Sequence, residues 1–247
     1  MTRVAVLGAK GRMGTEAVKA VGAADGLEVV AEIGSGDPLE AIVEAGAEVA
    51  VELTRPDVAL EHVRFCVEHG IHVVVGTSGF DDAKVEQVRA LLADHPGVGV
   101  VVAPNFSIGA VLMMRFAAIA APFFESVEVV EMHHPDKVDA PSGTAVRTAE
   151  LIAAARREAG SAPLPDATRT DPDGSRGATV DGIPVHAVRM RGFTASQEVL
   201  LGDPGEIFSI RHDSSHRESF MPGVLAAVRA VPQRPGVTLG LDAILGL

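Results

Sequence analysis

Cysteine is nearly absent from the 247 residues. Cys66 stands alone, so no disulfide can form within the chain and a reducing compartment is the expected setting. Basic residues are also scarce: 21 Lys and Arg stand against 33 Asp and Glu. The formal net charge of −12 disfavours nucleic acid or an anionic membrane as the general partner. An anionic ligand would need a locally basic pocket. Long apolar runs are missing too. The most apolar stretch, 98–124, is interrupted by Pro104, Asn105, Ser107 and Arg115, which reads as buried strand plus helix and not a membrane span. Val4-Ala5-Val6-Leu7 is too short for a signal peptide before Gly8 breaks it. With 47% hydrophobic and 22% charged residues, the expectation is a soluble cytoplasmic protein of one large or two small domains.

What is present is alternation. Runs of Val, Ile and Leu at 3–7, 27–33, 48–53, 71–75 and 98–103 predict strands, most with little in/out alternation, as in parallel strands covered on both faces. Amphipathic stretches at 13–24, 39–45, 56–69 and 81–94 predict helices between them. Pro38 and Pro56 suit first-turn positions, and Gly70 suits a C-terminal cap. The pattern predicts an α/β fold with a doubly wound parallel sheet. It then changes. A helix at 108–121, a strand at 126–134 and a helix at 142–159 precede a polar excursion at 161–181. Strands at 185–190, 195–201 and 207–212 follow without helices between them, which predicts a second α+β domain with an open mixed sheet. A helix at 217–231 precedes the tail.

Directly after the first predicted strand stands Gly8-Ala9-Lys10-Gly11-Arg12-Met13-Gly14, a GxxGxxG variant of the dinucleotide fingerprint. The first glycine suits a tight turn, the second lets backbone approach a pyrophosphate, and the third permits close packing as a helix opens. A Rossmann-like site or a plain turn would both use glycine here; the position between strand and helix favours the site. Lys10 and Arg12 add cationic donors where an adenosine phosphate could lie. Gly76-Thr77-Ser78-Gly79 and Ala103-Pro104-Asn105-Phe106 follow later parallel strands, where such sheets bind ligands or simply turn. Thr54-Arg55-Pro56-Asp57 lies at the same edge and reads equally well as a helix cap.

The richest stretch is Glu131-Met132-His133-His134-Pro135-Asp136-Lys137-Val138-Asp139-Ala140-Pro141-Ser142-Gly143-Thr144-Ala145. Neighbours on a strand face opposite ways, so His133 and His134 can share a site only if the strand ends there, as Pro135 suggests. Lys137 is one of four lysines against seventeen arginines, and a lysine can give up a proton where an arginine cannot. Ser142-Gly143-Thr144 reads as a helix N-cap whose amides form an anion site. A proton donor, an imidazole and an anion cradle suit reduction of an anionic C=N or C=C substrate. A capped helix after a solvated loop is the alternative.

The order GAKGRMG, GTSGF, APNFSIGA, EMHHPDKVDAPSGTA and RHDSSHRESFMPGVL resembles the 4-hydroxy-tetrahydrodipicolinate reductase family, essentially end to end. The resemblance implies an NADH- or NADPH-dependent reductase of lysine biosynthesis acting on a small dicarboxylate. It implies that Gly8, Ala9, Lys10, Gly11, Arg12 and Met13 hold the cofactor pyrophosphate, and that Gly76, Thr77 and Ser78 with Ala103, Pro104, Asn105 and Phe106 meet its nicotinamide half. It further implies His133 and Lys137 as the proton-transfer residues and His134, Gly143 and Thr144 as substrate contacts. The implied domains are 1–105 with 214–247 for the dinucleotide and 106–213 for substrate and oligomerisation, in a homotetramer. Three segments depart from the family's usual pattern: Glu52-Leu53-Thr54 stands for Asp-Phe-Thr or Asp-Phe-Ser, Ser78 for a second threonine, and Gly34 for an acid that contacts the adenosine ribose. Gly34 predicts that NADPH is accepted at least as well as NADH. Another small NAD(P)-linked dehydrogenase and a non-catalytic NADH-sensing regulator are the rival readings.

Other residues read as structural. Cys66 sits mid-helix without an activating neighbour, and His62, His69, His72 and His95 follow no metal-ligand spacing, so no metal is expected. Met113, Met114 and Phe116 read as core. His186, His212 and His216 are unassigned. Glu28 and Glu32 suit a solvated strand edge or a ribose contact.

Overall fold

A computed structural model describes residues 1–247. In chain order the elements are β1 (Thr2–Leu7), α1 (Arg12–Ala23), β2 (Leu27–Ile33), α2 (Glu40–Glu44), β3 (Val49–Glu52), α3 (Ala59–Glu68), β4 (His72–Val75), α4 (Asp82–Leu92) and β5 (Gly99–Val102). Then come α5 (Ile108–Ala120), β6 (Ser126–His133), α6 (Gly143–Glu158), β7 (Ala178–Val180), β8 (Ile183–Arg189), β9 (Ala195–Asp203) and β10 (Glu206–Ser214). The chain ends with α7 (Met221–Ala230), β11 (Gly236–Leu239) and α8 (Asp242–Leu245). It divides into two compact units, 1–108 with 217–247, and 109–216. No helix is long and apolar enough to cross a membrane.

The first unit carries a six-stranded sheet in the order β11-β5-β4-β3-β1-β2, every pairing parallel. Its central strands are buried on both faces. Ala5, Leu7, Ala50, Val73, Val75, Val100 and Val102 pack with Ile42, Val63, Cys66, Val88 and Leu92 from α2, α3 and α4. The alternate residues Val4, Val6, Val49, Val51, Val74 and Val101 are equally buried, on the face that α1 and α7 cover. That two-sided burial is why these strands read as unbroken Val runs, each side chain contributing about 1.5–3 kcal/mol relative to exposure. β2 lies at an edge and exposes Glu28 and Glu32.

The second unit carries a mixed sheet, β10-β9-β6-β8-β7, in which β6 and β8 run parallel and all other neighbours antiparallel. α6 covers one face: Ala145, Ala149 and Ile152 pack on Val127, Val129, Val185, Val199 and Leu201. Arg156, buried at the end of α6, donates to the carbonyls of Ala121, Phe124, Glu125 and Ala162, fixing the start of the excursion.

Four differences from the sequence reading stand out. The tail contains a sixth parallel strand, β11, docked on β5. The excursion contains β7. The helix expected at 217–231 is 3-10 over Arg217–Phe220 and α-helical only from Met221. Phe116, read as core, is 51% exposed, whereas Met113 is buried.

Candidate active site

The glycine loop joins β1 to α1, and two of its glycines, Gly8 and Gly14, are sterically required. Gly8 has φ +78°, and a Cβ there would lie 2.4 Å from the Leu53 carbonyl oxygen. A Cβ on Gly14 would lie 2.0 Å from the Gly8 oxygen, so α1 closes directly on the turn. Gly11, the N-cap of α1, makes no side-chain cap bond, and the first turn holds no acidic residue. A Cβ on Gly11 would meet nothing but Gly8 oxygen, at 3.0 Å, within 4 Å. The loop therefore leaves helix N–H groups on an uncrowded, positively polarised end that suits a pyrophosphate. Lys10 and Arg12 are exposed beside it, Met13 is half-buried and Ala9 is buried.

The C-terminal ends of β3, β4 and β5 lock together at the same edge. A Cβ on Gly76 would lie 2.5 Å from Phe106 Cε2 and 2.7 Å from Leu53 Cδ2, so only glycine admits both side chains. Thr77 is buried and its hydroxyl donates to Glu52, while Ser78 is exposed. Ala103 and Phe106 are buried, Pro104 is exposed, and Asn105 Oδ1 accepts from the Ser107 N–H at 2.8 Å. Cys66 lies near this edge; burial and the Glu52 charge push its thiol up to about 12, so it is no nucleophile.

In the second unit, β6 ends at His133, and His134 already lies beyond it. Residues of β6 alternate faces, which places Val127, Val129, Glu131 and His133 under α6. Glu131 is fully buried. Its Oε2 lies 2.6 Å from His133 Nδ1, and both its oxygens accept from the Arg189 fork at 2.7 Å. Oε1 also accepts from the Ser142 N–H at 3.0 Å. Burial alone would push the Glu131 carboxyl up, but the bonds from His133 and Arg189, the His133 charge and the Ser142 amide outweigh it and bring it to about 2. An ionised carboxylate only accepts, so His133 Nδ1 carries the hydrogen and Nε2 is left for chemistry. Lys137 Nζ donates to Asp139 Oδ1 at 2.7 Å, and Arg189 reaches the Asp139 carbonyl at 2.7 Å. Lys137 thereby holds the Asp139 carboxyl below its usual range. One guanidinium thus ties the His133 and Lys137 segments together.

Ser142 caps α6, its hydroxyl accepting from the Ala145 N–H at 3.2 Å; Gly143 is exposed and Thr144 half-buried in a first turn without acids. Thr148 donates to the Thr144 carbonyl at 2.7 Å and accepts from Gln197 Nε2 at 2.7 Å. Gln197 Oε1 is buried without a partner.

The register sorts the unassigned histidines. His212 pairs with Gln197, which pairs with Glu131, so all three share the α6 face; His212 packs against Gly109, and burial pushes its imidazole down. His186 pairs with Val130, faces the opposite way and contacts Glu128 at 2.6 Å. His62 contacts Glu52, His69 its own helix carbonyl at Phe65, and His72 accepts from the Gly99 N–H. Sequence reasoning passed over Glu131, Arg189, Asp139 and Gln197.

A parallel sheet wound on both faces, a glycine turn under a bare helix N-terminus and a second α+β unit define the architecture of a two-unit dinucleotide-binding protein. The family profile described as Dihydrodipicolinate reductase, N-terminus, matches residues 2–106, and its C-terminus counterpart matches residues 109–245. The chain is 63% identical over 245 residues to the 4-hydroxy-tetrahydrodipicolinate reductase of Streptomyces coelicolor, covering 99% of this chain and 98% of that one. It is 59% identical to the protein of that name from Thermobifida fusca, covering 100% of both. A solved structure, dipicolinate-bound dihydrodipicolinate reductase from Paenisporosarcina sp. TG-14, superposes with TM-score 0.85 at 38% identity over 99% of each chain. This chain belongs to the dihydrodipicolinate reductase family.

Proposed function

We propose that the chain reduces 4-hydroxy-tetrahydrodipicolinate to tetrahydrodipicolinate with NADH or NADPH, in lysine and diaminopimelate biosynthesis in the cytoplasm. The observation that carries this reading is the cluster at the end of β6, where Glu131 holds His133 and the Ser142 amide of the α6 N-cap, and Arg189 links Glu131 to the Asp139 segment that pairs with Lys137. Gly8 to Met13 would hold the cofactor pyrophosphate, and residues 76–78 and 103–106 its nicotinamide half. The bare α1 N-terminus and the crowding that excludes a Cβ at Gly8, Gly14 and Gly76 support that assignment. The cofactor, when bound, supplies a hydride to a ring carbon of the substrate.

The protein's own residues do the rest. His134, Gly143 and Thr144 bind the substrate carboxylates, with α6 N–H groups neutralising their charge. Lys137 or His133 delivers the proton that accompanies reduction, and the 4-hydroxyl leaves as water. Asp139 holds Lys137, and Glu131 holds His133 with Nε2 outward. The second sheet has no helix on the face opposite α6, where Val188 and Ile207 are exposed, and this face supports a homotetramer. The test couples the purified protein to the aldolase-type synthase with pyruvate and aspartate semialdehyde. Loss of nicotinamide absorbance only when the synthase is present supports the reading; oxidation of NAD(P)H with other small substrates but not this one rejects it.

A further inference from the structure

Glu52 is a buried acid that the proposed proton transfers do not use. It is the last residue of β3 and fully buried. Burying a carboxylate without partners is costly, and Glu52 is amply partnered. Thr54 Oγ1 donates to its Oε1 and Thr77 Oγ1 to its Oε2. His62 Nδ1, from α3, lies 3.2 Å from Oε1. Thr77 Oγ1 also accepts from the Thr54 N–H at 2.9 Å. The Thr77 hydroxyl is thus used twice, both times toward the protein interior. Around this polar knot, Leu53 and Phe106 close on the bare Cα of Gly76.

We infer that Glu52 is a positioning residue for the nicotinamide end of the cofactor site. It turns the Thr77 side chain inward and fixes the loop 76–79, so that this loop offers the cofactor its backbone and the exposed Ser78. The three strand-end loops are thereby joined to one another. The inference rests on the reading that this edge holds a dinucleotide.

Equilibrium binding of NADH and NADPH, followed by their own fluorescence, tests it; the chain has no Trp or Tyr to interfere. Glu52→Gln should raise both dissociation constants by roughly tenfold, while KM for the dicarboxylate at saturating cofactor stays within about twofold. Thr77→Val should reproduce the effect, and Thr77→Ser, which keeps the hydroxyl, should restore wild-type binding. Because both changes break the shared Glu52–Thr77 contact, the double variant should lose less than the product of the two single losses. Multiplicative losses, or wild-type dissociation constants in a folded Glu52→Gln variant of lower Tm, would make Glu52 merely structural. If Glu52→Gln does not fold, Thr77→Val against Thr77→Ser decides: equal binding by the two overturns the inference. A wild-type protein that binds neither nucleotide removes the cofactor site itself, whereas tight wild-type binding that both variants retain removes only the role of Glu52.

Discussion

His133 Nδ1 lies 2.6 Å from the buried Glu131 carboxylate, which the Arg189 fork grips from the neighbouring parallel strand. The pair is built into the sheet: Glu131 and His133 are alternate residues of β6, and Arg189 is the register partner of His133 on β8. The imidazole therefore has one ring nitrogen committed to the interior before any substrate arrives.

Glu131→Gln tests that commitment. An amide can present either an oxygen or an NH2 group to Nδ1, so the tautomer is no longer fixed. We expect kcat to fall roughly 10²-fold or more, the scale seen when a carboxylate orienting a catalytic histidine is lost. NADPH affinity should stay within about twofold. Combining Glu131→Gln with His133→Ala should cost no more than His133→Ala alone; additive losses would show that the two act independently.

Glu131 also predicts acid sensitivity. Its carboxyl is brought to about 2 from an ordinary 4.5. A carboxylate lowered on folding adds stability above its unfolded pKa and loses it as pH falls through the folded one. The stabilisation, on the order of 3 kcal/mol, should be complete at neutral pH and decline between about pH 4.5 and 2. Urea unfolding of wild type and Glu131→Gln at pH 7 and pH 3 measures it. The gap between the two proteins should narrow at pH 3; a constant gap would place the stabilisation elsewhere.

Lys137→Ala should lower kcat by roughly 10²–10⁴ and leave cofactor dissociation constants nearly unchanged, as expected for loss of a general acid. Asp139→Asn, which keeps the size but weakens the ion pair, should have a smaller effect. If cofactor affinity drops as far as kcat, Lys137 supports the structure instead of donating a proton.

Much of this was legible in the sequence because it is local. The Val runs of β1, β3, β4 and β5 announce strands buried on both faces, and His133, Lys137 and Ser142 lie in one contiguous stretch. Glu131 was legible in principle: alternation from Val127 and Val129 puts a carboxylate on the buried face, where it needs partners. Glu52 closes the buried run Val49-Ala50-Val51 in the same way. Arg189 gives no local signal, since only the pairing of β6 with β8, 58 residues apart, brings it to Glu131. β11 was hidden as well. It is four residues long, between Pro235 and Gly240, and exists because β5 offers a free edge. Gly99 makes room there: a Cβ on it would lie 2.4 Å from the Val231 oxygen.

The proposed cofactor site leads to a prediction at the end of β2. Gly34 does not have a positive φ, so its backbone does not bar an acid. Space is tighter: a Cβ there would lie 3.1 Å from Asp37 Oδ2 and 3.2 Å from Lys10 Cδ. Asp37 accepts from the Gly34 N–H at 2.8 Å, and Lys10 Nζ approaches Asp37 at 3.9 Å. The missing side chain at 34 is what lets these two residues close over the strand end. Lys10 is 81% exposed, so its loose pair with Asp37 holds it weakly and leaves it able to meet a 2′-phosphate. NADPH should therefore be accepted at least as well as NADH. Gly34→Asp sets a second carboxylate beside Asp37, favouring ribose hydroxyls and repelling the phosphate, and should move the kcat/KM ratio toward NADH by about 10–100-fold. Gly34→Ala crowds Lys10 and Asp37 equally without adding charge, so it should leave the ratio nearly unchanged. Lys10→Ala should weaken NADPH more than NADH. A wild-type preference for NADH above about tenfold that neither Glu32→Ala nor Asp37→Ala diminishes would sink this account, because no acid near the strand end would then be responsible.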